Sequence, residues 1–135
     1  MNEKIKINFI KLIQLVKDLR GEDGCDWDKI QTRDSLIPYF LEEVYELIDS
    51  IDKKNHKNAK EELGDVMLHL VFQAQISSEE GYYSINEVLE NINEKLIERH
   101  PHVFNKKSHL NSNENNWESQ KHLKKQRQSR LDGVP

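Results

Sequence analysis

Acidic residues recur at one-turn spacing in two nearby segments of the chain. EEVYE contains Glu42, Glu43 and Glu46, and ELGD contains Glu62 and Asp65. Residues three apart are neighbours on a helix, so each segment would hold a carboxylate pair on one face, with repulsion of roughly 0.2–0.5 kcal/mol per pair. A divalent cation would reverse that repulsion, and oxygen ligands without imidazole favour Mg²⁺ or Mn²⁺. The spacing makes this set a candidate cation site on two successive antiparallel helices.

Two other interpretations fit the same acidic pattern. Spacing alone favours a solvated acidic face, because the chain is 33% charged and charged side chains are normally exposed. A di-iron centre would need a Glu-x-x-His pair on each of two helices, and His69, four residues after Asp65, does not provide one. One observation argues against the solvated face: apolar residues border both acidic pairs. Carboxylates near a core need a counter-ion. The bordering residues are Leu41, Val44, Leu47, Ile48, Leu63, Val66 and Met67.

The segment before the first acidic motif is predicted to be a helix followed by a loop. The helix ends before Gly21, and GEDGCDWDKIQT, with two glycines and three aspartates, predicts a loop. Thr32, Asp34 or Ser35 is expected to cap the next helix. The apolar stripe of the first helix comprises Phe9, Leu12, Val16 and Leu19.

Three further helices are predicted from apolar periodicity. The second has Pro38 in its first turn and runs to about Lys53, and the third runs from near Ala59 towards Ser78. Ser84 and Glu87 have the spacing of a capping box that opens the fourth, which stops at Pro101. Their expected apolar residues are Leu36, Phe40, Leu47, Ile48, Ile51, Leu63, Val66, Met67, Leu70, Ala74, Ile85, Val88, Leu89, Ile92 and Leu96.

The end of the sequence is polar and then basic. Residues 105–116 are rich in Asn, Ser, Lys and His and predict a flexible connection, and a last, strongly basic helix is expected over about 114–130. No strand pattern of comparable strength occurs in the sequence. The fold class is therefore predicted to be all-α, a helical bundle of about four to five helices in a single domain spanning residues 1–135.

Charge and composition narrow the class of protein. The net charge of −4 argues against binding nucleic acid through the overall field. Residues 41–65 contain eight acidic and four basic residues, and residues 106–130 contain two acidic and seven basic ones, so the two segments are electrostatic partners. Cys25 is the only cysteine and no membrane-spanning run occurs, which predicts a cytoplasmic protein. A modest core favours a homo-oligomer.

These acidic motifs resemble the signature of the MazG family of nucleotide pyrophosphohydrolases, EExxE followed by ExxD. The resemblance continues in GCDWDKIQT, KLIERHPHVF and WESQK, so it covers the chain from about Leu12 to Pro135. One departure is Asp26, which stands where the Cys-Pro-Trp-Asp element of the family has proline. Several motifs in the same order make the resemblance specific.

The resemblance implies a dimeric bundle that hydrolyses nucleoside triphosphates to monophosphate and pyrophosphate with Mg²⁺, or with Mn²⁺ as a substitute. It implies that Glu43, Glu46, Glu62 and Asp65 bind the metal. Glu42 would bind metal, orient a ligand or position water, and these roles stay open. Four further residues would bind the substrate, Lys95, Arg99 and Lys121 through phosphate and Trp117 through the rest of the nucleotide.

The expected cellular role is the removal of unwanted nucleotides, and the expected partners are a nucleoside triphosphate and a second copy of the chain, with no nucleic acid and no membrane. An alternative is a weakly active or non-catalytic nucleotide-binding or oligomerisation domain from a tandem MazG protein. The sequence defines no preference for base or sugar, because spacing does not define the shape of a pocket.

Overall fold

The computed structural model describes residues 1–104, which form six helices and contain no strand. The predicted all-α class is confirmed. The predicted basic helix over 114–130 lies outside the described residues. The helices are α1 Asn2–Leu19, α2 Asp26–Ile30, α3 Ile37–Asp52, α4 His56–Glu79, α5 Ile85–Arg99 and α6 Pro101–Phe104.

The chain divides at the start of α5 into two compact units, Met1–Ile85 and a second that begins at Asn86. The single domain expected over residues 1–135 stays a prediction. In the second unit, α5 ends immediately before the His-Pro-His element and α6 begins at Pro101. The predicted stop at this proline is confirmed, and His100 Nδ1 lies 2.7 Å from the carbonyl oxygen of Leu96 in the last turn of α5.

The predicted loop after α1 contains a short helix, α2, which the sequence analysis missed. The chain turns sharply before it, because the amide of Cys25 donates to the carbonyl of Leu19 at 2.9 Å. Gly24 is required there, since a Cβ atom at this position would overlap the Leu19 carbonyl oxygen. The amide of Lys29 then donates to the Cys25 carbonyl at 2.9 Å. Five residues are too few to produce a periodic pattern.

The starts of α3 and α4 differ from the predicted ones. Thr32 and Ser35 bond to each other, with amide-to-hydroxyl distances of 2.8 and 3.0 Å, so they form a turn before the helix. The N-cap of α3 is Leu36, without a side-chain bond, and the prediction of a Thr32, Asp34 or Ser35 cap is wrong. Pro38 does lie in the first turn. Helix α4 starts at His56, not near Ala59.

The core of the first unit is formed by α1, α4 and the residue before α3. Its buried members contribute roughly 1.5–3 kcal/mol each by leaving water. Partly buried side chains of α1 and α4, together with Ile85, pack against them. The buried members are Val16, Leu36, Val71, Phe72 and Ile76.

Arg20 ties α1, α2 and α4 together from the end of α1. Its side chain is only 9% exposed, and it donates to both carboxylate oxygens of Glu79 at 2.9 Å. It also donates to the backbone carbonyls of Asp28 at 2.6 Å and Gln31 at 3.0 Å. Its guanidinium lies 5.7 Å from the centre of the Phe72 ring. The hydrogen bonds from Arg20 lower the pKa of Glu79, and burial opposes them.

Much of the apolar stripe predicted on α3 and α4 is exposed in the single chain. Several of these residues are not buried within one copy. None of the described helices is long and apolar enough to cross a membrane. The exposed residues of the predicted stripe are Ile48, Ile51, Leu63, Met67 and Leu70.

Candidate metal centre

The hairpin of α3 and α4 brings acidic residues from both predicted motifs together. Glu43, Glu62 and Asp65 each offer a carboxylate oxygen, and these oxygens all lie within 4.8 Å of one another. Glu43 comes from α3, and the other two come from α4. Only residues 53–55 connect these helices, and such short connections make neighbouring helices antiparallel. The structure therefore has the convergence that the spacing predicted.

A buried serine holds the two acidic helices in register. Ser50 is 2% exposed, and its hydroxyl donates to the carbonyl of Glu46 at 3.0 Å. The side-chain amide of Asn58 donates to the same hydroxyl at 3.0 Å, and the amide of Asn55 donates to the Ser50 carbonyl at 3.0 Å. Ser50 lies one turn after Glu46, and Asn58 lies one turn before Glu62. These bonds fix how the carboxylates of α3 face those of α4.

Ser50, Asn55 and Asn58 shape the site but are not among the site residues predicted from the sequence. The Asn55 side chain accepts from the Asn58 amide at 3.1 Å, which is an N-cap contact and explains the early start of α4. An asparagine directly before a helix was the available signal for the cap. No pattern in the sequence marks the contact between Ser50 and Asn58.

Two oxygens of this cluster are shielded from water. Glu43 Oε2 and Glu62 Oε2 are buried and have no hydrogen-bond partner in the described part of the chain. A buried acceptor without a partner costs about 1–3 kcal/mol, and more when it is charged. A proton or a cation removes that cost. Because the donors are all carboxylates, the chemistry of the site fits a hard divalent cation such as Mg²⁺.

The pKa values of two glutamates are shifted in the direction expected for crowded carboxylates. Burial, followed by the negative charges of Glu46 and Asp65, raises the pKa of Glu43 from 4.5 to about 7. Burial also raises the pKa of Glu62, with Glu46 as the next cause. Without a cation, the cluster therefore retains a proton near neutral pH.

The other two predicted acidic residues, Glu46 and Glu42, are not among the three that converge. Glu46 is exposed and is not one of the three that converge, but its charge acts on both Glu43 and Glu62. Glu42 is exposed, and the structure does not bring it into the cluster. The predicted ligand role of Glu46 and the open role of Glu42 stay predictions.

His69 lies one turn after Asp65 and half-buried beside the cluster. Its ring centre is 5.8 Å from that of Phe40, and its Nδ1 is buried without a hydrogen-bond partner among the described residues. Burial lowers the pKa of His69, and the charge of Asp65 partly opposes this. The ring is therefore neutral at pH 7, and a neutral imidazole adds no positive charge to offset the carboxylates.

The predicted substrate-binding residues lie elsewhere in the chain. Lys95 and Arg99 are one turn apart on α5 and are partly buried. They belong to the unit that begins at Asn86. Trp117 and Lys121 lie outside the described residues, so the structure says nothing of them.

Comparison with known proteins gives consistent matches. The model of the MazG nucleotide pyrophosphohydrolase domain matches residues 31–104. A nucleoside triphosphate pyrophosphohydrolase/pyrophosphatase MazG of Thermotoga maritima is 54% identical over 98 residues, which cover 73% of this chain and 38% of that protein.

Two other relatives match nearly the whole chain. The nucleoside triphosphate pyrophosphohydrolase of Escherichia coli K12 is 40% identical over 131 residues, which cover 93% of this chain and 50% of that protein. An uncharacterized protein of Bacillus subtilis, YabN, is 44% identical over 131 residues, or 94% of this chain and 27% of that protein. The chain thus spans half or less of the length of these three relatives. The family model covers more than half of the chain, including both acidic motifs, and the chain belongs to the MazG nucleotide pyrophosphohydrolase family.

Proposed function

We propose that this chain hydrolyses nucleoside triphosphates to nucleoside monophosphate and pyrophosphate with Mg²⁺. The observation that carries the proposal is the convergence of Glu43, Glu62 and Asp65 within 4.8 Å, with two of their oxygens shielded and unpartnered among the described residues. The relatives from T. maritima and E. coli are named for this activity, and the proposal extends it to this chain.

Glu43, Glu46, Glu62 and Asp65 are the residues proposed to hold the metal, with Mn²⁺ able to replace Mg²⁺. Glu46 is included because its charge acts on both glutamates of the cluster. When bound, the metal neutralises triphosphate oxygens, lowers the pKa of water and stabilises the pyrophosphate leaving group. The charge of the metal would then offset the repulsion among the carboxylates, which only a proton offsets in its absence.

The chain must also manage the proton of the attacking water. The water oxygen bonds to the α-phosphorus, the bond from this phosphorus to the oxygen bridging to the β-phosphorus breaks, and pyrophosphate leaves with that oxygen. The water proton passes to a base, and a carboxylate within hydrogen-bond reach is a suitable acceptor. Glu42 is exposed on α3 beside Glu43. It is therefore accessible to accept this proton, to orient a ligand or to bind metal.

Positive side chains are proposed to bind the substrate. Lys95 and Arg99 on α5 would bind phosphate oxygens, Lys121 would do the same, and Trp117 would hold the nucleotide. The Arg99 Nε atom is buried and finds no hydrogen-bond acceptor in residues 1–104, which supports its role as a donor to a bound anion.

The direct test is pyrophosphate release by the purified full chain with Mg²⁺, with Mn²⁺ and with neither. We expect Glu43→Gln and Asp65→Asn each to lower kcat by about 100-fold or more, because each removes one ligand charge. Glu61→Gln is the matched control, since Glu61 is an exposed α4 carboxylate beside Glu62. Wild-type rates in both site variants would contradict the proposal. Calorimetric binding of a non-hydrolysable triphosphate without any product would instead indicate a non-catalytic nucleotide-binding domain.

The proposed cellular role is removal of unwanted nucleotides in the cytoplasm. Cys25 is free and exposed, and an exposed thiol is compatible with a reducing compartment. A panel of standard, deoxy and chemically altered triphosphates tests the role. Activity restricted to one standard nucleotide would contradict general house-cleaning and would indicate control of one nucleotide pool.

We propose that the working form is a homodimer. Large apolar residues of α1, α3 and α4 remain exposed in the single chain, and packing against a second copy would remove them from water. Light scattering should give a mass twice the 16.0 kDa of the chain. A monomer at micromolar concentration would contradict this. The exposed residues include Ile5, Ile7, Ile10, Ile37, Leu41, Ile48, Ile51, Leu63, Met67 and Leu70.

A further inference from the structure

Helix α1 packs on the core only through its second half. Val16 is fully buried, and Leu12 packs against the core cluster. Among residues 2–10, all side chains except that of Phe9 are exposed, and Ile5 keeps 60% of its surface in water. The first turns of α1, residues 2–10, therefore form an N-terminal arm that the single chain leaves uncovered.

The N-terminal arm has aliphatic side chains on opposite sides. Each residue of a helix is rotated by about 100° from the one before it, so Ile5 lies on the same side as Phe9 and Leu12. Ile7 and Ile10 lie on the other side, where they are 61% and 55% exposed. Branched isoleucines are not the best helix formers, and a helix that is apolar all round is normally enclosed. The composition of the arm therefore indicates contact with protein on more than one side.

Helix α4 has an uncovered apolar stripe that continues its contact with α1. Ala74 is buried, and it lines a cleft of about 70 Å³ together with Ile13 of α1. Leu63, Met67 and Leu70 precede Ala74 at spacings of four and three residues, so they extend the same side of α4 towards its start. These three side chains are 40% to 56% exposed. Helix α1 thus covers only the later part of this stripe.

The uncovered parts of α1 and α4 are the first halves of two helices that meet at their ends. Arg20 at the end of α1 bonds to Glu79 at the end of α4, and Val16 and Phe72 belong to one core cluster. A second copy related by a two-fold axis can place its arm on the stripe of α4 and receive the other arm in return. One symmetric contact would therefore cover both apolar surfaces in both copies.

We infer that the N-terminal arm of each copy packs on the first half of α4 in the other copy, over its exposed apolar stripe. The inference rests on the homodimer of the proposed function and names the two surfaces that meet. Charge supports the pairing, because α1 has four lysines against Glu3 and Asp18, whereas residues 41–65 of the α3–α4 hairpin contain eight acidic and four basic residues.

The first test locates the arm by cross-linking two chains that differ in mass. One chain carries Ile5→Cys and the other carries Met67→Cys, each with Cys25→Ser because Cys25 is free and exposed. After mixing, a short bifunctional maleimide should link the two chains to each other. In the control, a chain with its natural Cys25 replaces the Ile5→Cys chain. Its exposed thiol lies outside the arm and should give little product.

The pattern of links distinguishes the possible positions of the arm. A higher yield of links between two Ile5→Cys chains would show that the arms pair with each other. In a chain that carries both Ile5→Cys and Met67→Cys, a product with the mass of one chain would show that the arm folds back on its own α4. Either result would overturn the inference. It would also be overturned if no link formed between chains while light scattering gave the mass of a dimer.

Alanine substitutions test how much the contact stabilises the dimer. Ile5→Ala and Met67→Ala should each raise the Kd of the dimer by about 10-fold or more, because each removes aliphatic surface from two symmetric contacts. Gln14→Ala is the matched control at an exposed, uncharged position of α1 outside the arm, and it should change the Kd by no more than about twofold. Alanine favours helix, and circular dichroism checks that the variants are folded. An unchanged Kd in both site variants would overturn the inference.

Pyrophosphate release separates this inference from the proposed hydrolysis. Links between the arm and α4 in a chain that releases no pyrophosphate would support the contact and contradict the hydrolase. Pyrophosphate release by a dimer without these links would do the reverse.

Discussion

Replacing Ser50 with alanine tests how α3 and α4 are kept in register beside the acidic cluster. The substitution removes two hydrogen bonds at once, the one from the Ser50 hydroxyl to the Glu46 carbonyl and the one from Asn58 to that hydroxyl, both 3.0 Å long. The bond from Asn58 joins α4 to α3. The bond to the Glu46 carbonyl lies within α3, one turn from Glu43. The variant should therefore affect the stability of the fold and the affinity for metal.

The size of the effect follows from the surroundings of Ser50. Each bond contributes roughly 0.5–1.5 kcal/mol to the free energy of unfolding. Asn58 is exposed, so water can partly replace its lost partner, which places the loss at the lower end. Alanine is the better helix former by up to about 0.5 kcal/mol. The net loss should be about 1 kcal/mol, or a fall of roughly 3–6 °C in Tm.

The assay is thermal unfolding of wild type, Ser50→Ala, Asn58→Ala and the double variant, with Mg²⁺ titrations on each. A coupling free energy of about 0.5–1.5 kcal/mol is expected between the two positions, together with a roughly threefold to tenfold loss of Mg²⁺ affinity. Ser78→Ala, at an exposed serine of α4, is the control and should cost nothing. Additive effects at Ser50 and Asn58, or an unchanged Tm in Ser50→Ala, would refute the reasoning.

Three other perturbations have expected outcomes. Arg20 lowers the pKa of Glu79, so the ion pair stabilises the fold at neutral pH, and this contribution is lost as the pH falls through the lowered pKa. Glu79→Gln should therefore reduce the free energy of unfolding in urea by about 1 kcal/mol at pH 7 and by less at pH 3. An equal reduction at both pH values would contradict this. The pKa of Glu43 is raised from 4.5 to about 7, so the folded metal-free chain holds a proton that the unfolded chain has released, and its stability falls as pH rises across this interval. Because Mg²⁺ competes with that proton, it should raise Tm more at pH 8 than at pH 6, and an equal rise at both would contradict the assignment. Lys54 has a φ of 56°, so Lys54→Gly should raise stability by about 0.5–1 kcal/mol without changing pyrophosphate release, and an unchanged or lower Tm would show that no strain is relieved.

The four long helices could be predicted from the sequence because each has an apolar stripe long enough to show its period. Helix α2 could not be predicted, since its five residues have no period and depend on contacts with Arg20. The cap of α3 was predicted wrongly because the hydroxyls of Thr32 and Ser35 accept from each other's amides and not from an amide of the helix. The exposure of Leu63 and Met67 could not be predicted either, because an apolar stripe does not show whether it packs against its own chain or against another copy.

The acidic pairs of the candidate site could be predicted, but their environment could not. The spacing assigned Glu62 and Asp65 to one face, and this face does meet Glu43 in the structure. Spacing could not decide between a solvated face and a cation site, because the deciding feature is the shielding of Glu43 Oε2 and Glu62 Oε2. That shielding depends on helix register, which the Ser50 contacts fix. The family came from the order of the motifs and is confirmed by the family model.

Helix α2 depends on tertiary contacts for its stability, although its residues are adjacent in sequence. Five residues cannot overcome the nucleation cost of a helix in isolation, and two of the carbonyls near its end are satisfied by a guanidinium that also binds a residue 59 positions away in sequence. The melting of α2 should therefore follow the fraying of the end of α4, and amide exchange in both should rise together. A mutation at Glu79 would then loosen α2, which Arg20 links to the end of α4.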